Sequence, residues 1–170
     1  MDTTTKSALD IRRLRKWIQT ALQLPDGSVI GGYLPENHLS AFITVDVLFS
    51  QEIGQSRRKF DGTTEYIISS LQSTISISCY GNNSLAIATK LKTLLQSSNA
   101  LSALKAMNAG IVSFSDVRNL TATVGADYEE RGQFDCVISH HHIVATPLDP
   151  IKQVDHYTNQ SIQQTIKGAI

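Results

Sequence analysis

The sequence predicts an α+β domain: a mostly antiparallel sheet of about four main strands, with a long N-terminal helix and a central helix packed on it. Two periodicities and one ordering predict this. Apolar residues recur at helical spacing near residues 14–22 and 85–95. They alternate at period two in residues 41–49, 65–80 and 127–144. The order helix, strand, strand, helix, strand, strand joins strands as hairpins, which suits helices on one face of the sheet rather than a doubly wound fold.

Each element has a local reason. Leu14, Ile18, Ala21 and Leu22 share a helix face, and Arg12, Arg13, Arg15 and Lys16 surround it on the water side. Pro25-Asp26-Gly27 ends that helix. Residues 26–40 read as a loop around Gly31, Gly32 and Pro35, with a short extended piece at Val29-Ile30. Ala41, Ile43, Val45, Val47 and Phe49 line one face of a strand. Residues 51–63 turn polar and carry Arg57-Arg58-Lys59, which predicts a long exposed hairpin loop. Ile67, Leu71, Ile75, Ile77 and Cys79 then alternate with Tyr66, Gln72, Thr74, Ser76 and Ser78.

Gly81-Asn82-Asn83-Ser84 breaks that strand and starts a helix bearing Leu85, Ala88, Leu91 and Leu95. Ser97-Ser98-Asn99 interrupts it, and a shorter helical piece follows over 100–108, closed by Gly110. Residues 111–118 predict a weaker strand, and a turn follows near 123–126. In the last long strand Tyr128, Phe134, Cys136 and Ile138 oppose Glu129, Arg131, Gln133 and Asp135. The segment past Pro147 predicts an extended tail of a single domain spanning 1–170.

The chain has 170 residues, with 15 Lys+Arg against 15 Asp+Glu. Zero formal net charge disfavours binding to nucleic acid or membrane by bulk charge. No apolar run reaches the ~18 residues of a membrane span, and residues 1–8 lack the apolar middle of a signal peptide, so the expected compartment is cytoplasmic.

No phosphate-cradling loop, nucleophile elbow or kinase motif occurs. Cys79 and Cys136 fall on inward strand faces and predict buried, inert thiols. His140 and His142 share a strand face, so a metal-binding module with His156 or Asp149 as third ligand is a remote alternative; a polar strand end is the simpler reading. No catalytic residue, metal site or cofactor is expected. The charged segment Glu129, Glu130, Arg131 and Asp135, with Arg118, places opposite charges where they can pair along a strand and suits a subunit junction. The Arg57, Arg58, Lys59 cluster is a second candidate contact.

Several stretches together resemble a known family. They are Leu14-Arg15-Lys16-Trp17-Ile18, the Ala41-Phe42-Ile43-Thr44-Val45 strand, Ser73 to Gly81 followed directly by a helix, Val117-Arg118-Asn119-Leu120, and Tyr128 to Asp135. The pattern resembles the neck and tail terminator, or tail-completion, proteins of tailed bacteriophages. The resemblance implies a structural virion protein without catalysis, assembled in the host cytoplasm. It implies a homohexameric ring that caps the tail tube, ends polymerisation and offers the head-joining surface. The implied partners are further copies of the chain, the tube protein, neck or head-completion proteins and, in sheathed tails, the sheath. DNA would at most pass through the ring. A head-side neck or adaptor protein is the alternative.

Overall fold

In the computed structural model, residues 3–32, 41–124, 127–150, 153–158 and 161–167 are described. The chain runs through β1 (Thr4–Ser7), α1 (Ile11–Ala21), β2 (Val29–Ile30), β3 (Ala41–Glu52), β4 (Arg57–Phe60) and β5 (Thr64–Gly81). It continues through α2 (Ser84–Leu94), α3 (Ser98–Lys105), β6 (Ala109–Phe114), β7 (Arg118–Asn119), β8 (Ala122–Val124) and β9 (Asp127–Glu129). It closes with β10 (Arg131–Pro147), β11 (Gln153–Thr158) and β12 (Ser161–Lys167).

The expected helix-packed α+β domain is not what forms. The protein is dominated by an eight-stranded curled sheet, and among the described residues no helix is long. α1 and α2 have 11 residues and α3 has 8. At 1.5 Å per residue the longest helices span about 16 Å. β5 has 18 residues and β10 has 17, so each follows a path of roughly 55–60 Å. The short extended piece expected at Val29–Ile30 forms and pairs in parallel with β3. Two other strands depart from the expectation. Thr4–Ser7 pairs with β10. Arg57–Phe60, expected as loop, pairs with β5. A polar composition does not prevent a strand whose backbone finds a partner, and alternation counts overlook such strands because they lack an apolar face.

The strand order is β1-β10-β5-β3-β2, with β4 on β5 and with β6 and β7 on β10. The β3–β4–β5 segment is one long hairpin. It is interrupted at residues 53–56 and closed by a tight tip, where Asp61 Oδ1 accepts from the Thr63 and Thr64 amides at 3.1 and 2.8 Å. The turn expected at 123–126 lies partly outside the described residues; β8 and β9 flank it as an antiparallel pair. The tail beyond 147 forms its own two-stranded sheet from β11 and β12.

The core sits where the helices cover one face of the sheet. Leu14 and Ile18 from α1, Ala88 and Leu91 from α2, and Leu104 from α3 pack against Ile43, Val45, Ile75, Ile77, Cys79, Phe134, Cys136 and Ile138. Each large side chain buried here contributes roughly 1.5–3 kcal/mol. Asp10 caps α1, accepting from the Arg12 and Arg13 amides at 3.1 Å. Gly132 makes the close approach of α2 possible. A Cβ there would lie 2.7 Å from the Ser84 carbonyl oxygen and 2.9 Å from Leu85 Cα.

Two details depart from the alternation pattern. Val47 pairs with Ile75 and Phe49 with Thr74, so the register shifts at Leu48 and Phe49 crosses to the other face. Leu48 and Phe49 are each 57% exposed, and Val47 is 43% exposed. Arg15, expected in water, instead donates from Nε and Nη2 to the Val45 carbonyl at 3.0 and 2.7 Å. Its guanidinium occupies the space above Gly31, where an added Cβ would collide with it.

Candidate functional site

The helix-free face of the sheet carries three of the charged residues singled out in the sequence, Arg118, Arg131 and Asp135. Ser76 and Ser78 are buried at its centre because longer side chains from neighbouring strands close over them. Arg131 donates from Nη2 to Ser78 Oγ at 3.2 Å, and its guanidinium carbon lies 5.1 Å from the centre of the Tyr80 ring. Tyr80 in turn stacks on Phe42, with ring centres 4.5 Å apart. Gln133 donates to Ser76 Oγ at 2.6 Å. Asp135 accepts from Arg118 Nη2 at 2.6 Å. On the β3 row, Asp46 lies 3.5 Å from Arg15.

Opposite charges were expected to pair along the last long strand. The bonds found run across strands instead. Arg118 comes from β7 and meets Asp135 on β10 because Arg118 pairs in register with Gln133. Glu130 turns to the helix start: its Oε2 accepts from the Asn83 amide at 2.8 Å and its backbone carbonyl from the Gly81 amide at 3.1 Å. Asn83 adopts φ 63° and makes no side-chain cap; the Glu130 carboxylate takes its amide and sets a negative charge at the N-terminus of α2. Glu129 is half-buried at the end of β9. Arg118, Arg131 and Asp135 thus share one face, while Glu130 braces the β5–α2 turn.

Arg57, Arg58 and Lys59 lie on β4, near the tip of the long hairpin, and all three are exposed. Arg58 Nε is 4.0 Å from Glu65 Oε1, a contact worth little at such exposure. Phe60 follows them, 44% exposed. The basic cluster and the charged face therefore sit at opposite ends of the sheet, one opposite residues 65–68 of β5 and the other opposite 76–80.

The remaining chemistry is sparse. Cys79 and Cys136 are free and buried, and burial pushes both thiols up to about 12, so neither is a nucleophile in the folded chain. His140 is buried; its Nε2 bonds Ser73 Oγ at 2.8 Å, and Ser73 bonds Ser50 Oγ at 2.6 Å. Burial holds its pKa below the ordinary value; a backbone hydrogen bond with His141 opposes this, and the charges of His142 and His141 add to it. His140 and His142 do share a face, as expected, yet no cluster of three metal-ligating side chains exists among the described residues. The side chain of His156 lies outside them. A cavity of about 420 Å³ beside His140 is lined by Leu71, Lys105, Asn108 and Ser139 among others.

The sequence matches the family of the phage neck terminator protein over residues 11–165. The chain belongs to that family. It is therefore a structural protein of the phage neck and tail. All the charged residues singled out above fall inside the matched span. A comparison with curated proteins returned no match.

Sequence reasoning missed the apolar group Val47, Leu48 and Phe49 as a surface feature. Alternation assigned two of the three to the core; the bulge at Leu48 re-aims Phe49, and Val47, still opposite Ile75, is left exposed. It also missed Arg15, whose signal was a glycine pair, Gly31-Gly32, that leaves room beside the strand edge for a long side chain.

Proposed function

We propose that the protein assembles as a homohexameric ring on the end of the tail tube. The ring ends tube polymerisation and offers the surface on which head-completion or neck proteins join. Family membership over residues 11–165 carries this reading. The distribution of side chains supports it. A ring built from copies of one chain needs two unlike complementary surfaces on each subunit. The protein has unlike surfaces: the cross-bonded charged face with Arg118, Arg131 and Asp135, and the exposed hairpin arm ending in Arg57, Arg58 and Lys59.

In this reading the charged face is a docking surface whose side chains are already fixed by intrachain bonds, which lowers the ordering cost of a contact. The arm reaches towards the tube or, in a sheathed tail, the sheath. Glu129 belongs to the same candidate contact in this reading, and Glu130, bonded to the Asn83 amide, braces the turn beside it. Bonds from Arg118 and Arg131 to their own chain leave other guanidinium donors for a partner's carboxylates.

Mixing purified protein with polymerised tail tubes and imaging by negative-stain electron microscopy tests the proposal. The expected result is a cap at one end of each tube and arrest of further growth. Bare tubes that keep growing would overturn it and move the protein to the head side of the neck.

A further inference from the structure

The two lateral edges of the sheet are matched to one another. Reading across the sheet, Val47 lies in register with Ile75, Cys136 and Phe114. Phe49 lies in register with Thr74, Val137 and Ser113, and Ser50 with Ser73, Ile138 and Ile111. Glu52 lies in register with Leu71, His140 and Ala109. β3 and β6 therefore end the same rungs on opposite sides. Among the described residues no strand lies beyond β3 from Val47 to Glu52, and none lies beyond β6.

The edges also agree in direction, relief and character. β3 is antiparallel to β5, β5 to β10, and β10 to β6, so β3 and β6 run in opposite directions. Each row has one register shift at nearly the same height, at Leu48 in β3 and at Val112 in β6. These two bulge residues are exposed apolar side chains, Leu48 at 57% and Val112 at 48%. At the upper end of the β3 edge stands Glu52, and Lys105, which closes α3, lines the same cleft as Ala109 and Gly110 at the start of β6. An open, apolar strand edge is a template for pairing, and natural proteins blunt such edges unless a partner takes them. Here β3 carries no proline, and its only charge from Val47 onward is Glu52 at its end.

We propose that the β3 edge of one copy pairs antiparallel with the β6 edge of the next, so that the sheet continues from subunit to subunit. The occupant of each edge is a second copy of this chain. A rotation about an axis along the strands brings the two edges together at equal height, places Leu48 against Val112 and sets Glu52 beside Lys105. Such a contact is heterologous, and a heterologous contact repeated by rotation closes into a ring. The backbone supplies the affinity and the apolar pair the specificity, as in strand addition generally. The inference rests on the ring reading above; it assigns the contact between subunits to the two sheet edges and leaves the charged face and the arm for docking to other partners.

A double variant, Phe49→Cys with Ser113→Cys, tests it. Both positions are exposed and lie on one rung. The native thiols are buried and stay silent in the folded chain. Oxidation of the full-length protein under conditions where electron microscopy shows rings is expected to give a covalent ladder up to the ring's subunit number. Each single-cysteine variant gives no ladder. In parallel, Leu48→Asp is expected to keep the fold, since Leu48 touches water, and to weaken self-association by about thirtyfold or more. Rings without a ladder, or rings formed unchanged by Leu48→Asp, would overturn the edge pairing and leave the ring reading standing. Loss of tube capping with intact rings would assign the edge to the tube protein and equally overturn the inference. Absence of rings under every condition, on tubes included, would remove both.

Discussion

β5 passes through two environments without changing its chemistry. In its C-terminal half Ile75, Ile77 and Cys79 are each no more than 1% exposed. In its N-terminal half Ile67, Ile68 and Leu71 are only half-buried, although they are equally apolar. The difference is cover. α1, α2 and α3 are short and lie over one half of the sheet, so the other half stands out as an arm. Apolar alternation predicts which side of a strand a residue faces; it does not say whether anything lies against that side.

The comparison is sharpest in paired substitutions. Ile75→Asp buries an unpaired carboxylate in the covered half, at a cost of roughly 2–7 kcal/mol, enough to remove most of a typical fold's stability. Ile67→Asp in the arm should cost on the order of 1 kcal/mol, because water reaches it. Urea unfolding of the two variants measures the gap, and equal losses would erase the distinction between the halves.

Gly132→Ala comes next. Its Cβ meets the backbone of Ser84 and Leu85, which cannot swing aside, so α2 must shift at a cost of about 1–3 kcal/mol. Its control, Gly110→Ala, meets only Ser139 Oγ at 3.5 Å and should be milder. Thermal melts of the pair are the check.

Arg131→Ala should leave a folded monomer with a loss of roughly 1–2 kcal/mol, from the Tyr80 contact and the Ser78 bond, and should weaken ring closure or docking. Circular dichroism and sedimentation separate the two effects. An unfolded variant would make the charged face part of the core.

The smallest expected effect is a pH slope. His140 has its folded pKa held below the ordinary 6.5, chiefly by burial. The unfolded chain therefore takes up a proton before the folded one does. Stability from this group is complete above pH 6.5 and declines as pH falls from there through the lower folded value. Stability against pH for the wild type and His140→Gln shows it, since the substitution should flatten that slope.

The sequence carried more of the covered half than of the arm. Phe134, Cys136 and Ile138 alternate with Gln133, Asp135, Val137 and Ser139, and all three are at most 1% exposed, as the period-two pattern implies. α1, α2 and α3 lie close to the segments their spacing marks, though none is long. The arm was hidden for physical reasons. Arg57–Phe60 pairs through its backbone, and a backbone partner leaves no trace in side-chain pattern. The bulge at Leu48 flips one residue, and period-two reading has no means to detect the insertion. The charged segment was legible as unusual, but its partners were not: Arg118 and Asp135 are 17 residues apart, and only strand register brings them to 2.6 Å.

Hydrogen exchange on the wild type as assembled rings and on the Leu48→Asp variant as monomer tests the central claim most directly. The account holds that the covered half is complete within one chain and that the open edges are completed by another. It predicts equal, strong protection at Ile75, Ile77 and Cys136 in both samples. Amides along Val47–Glu52 and Ala109–Phe114 should gain protection only in the rings. Unchanged exchange along both edges on assembly would contradict it.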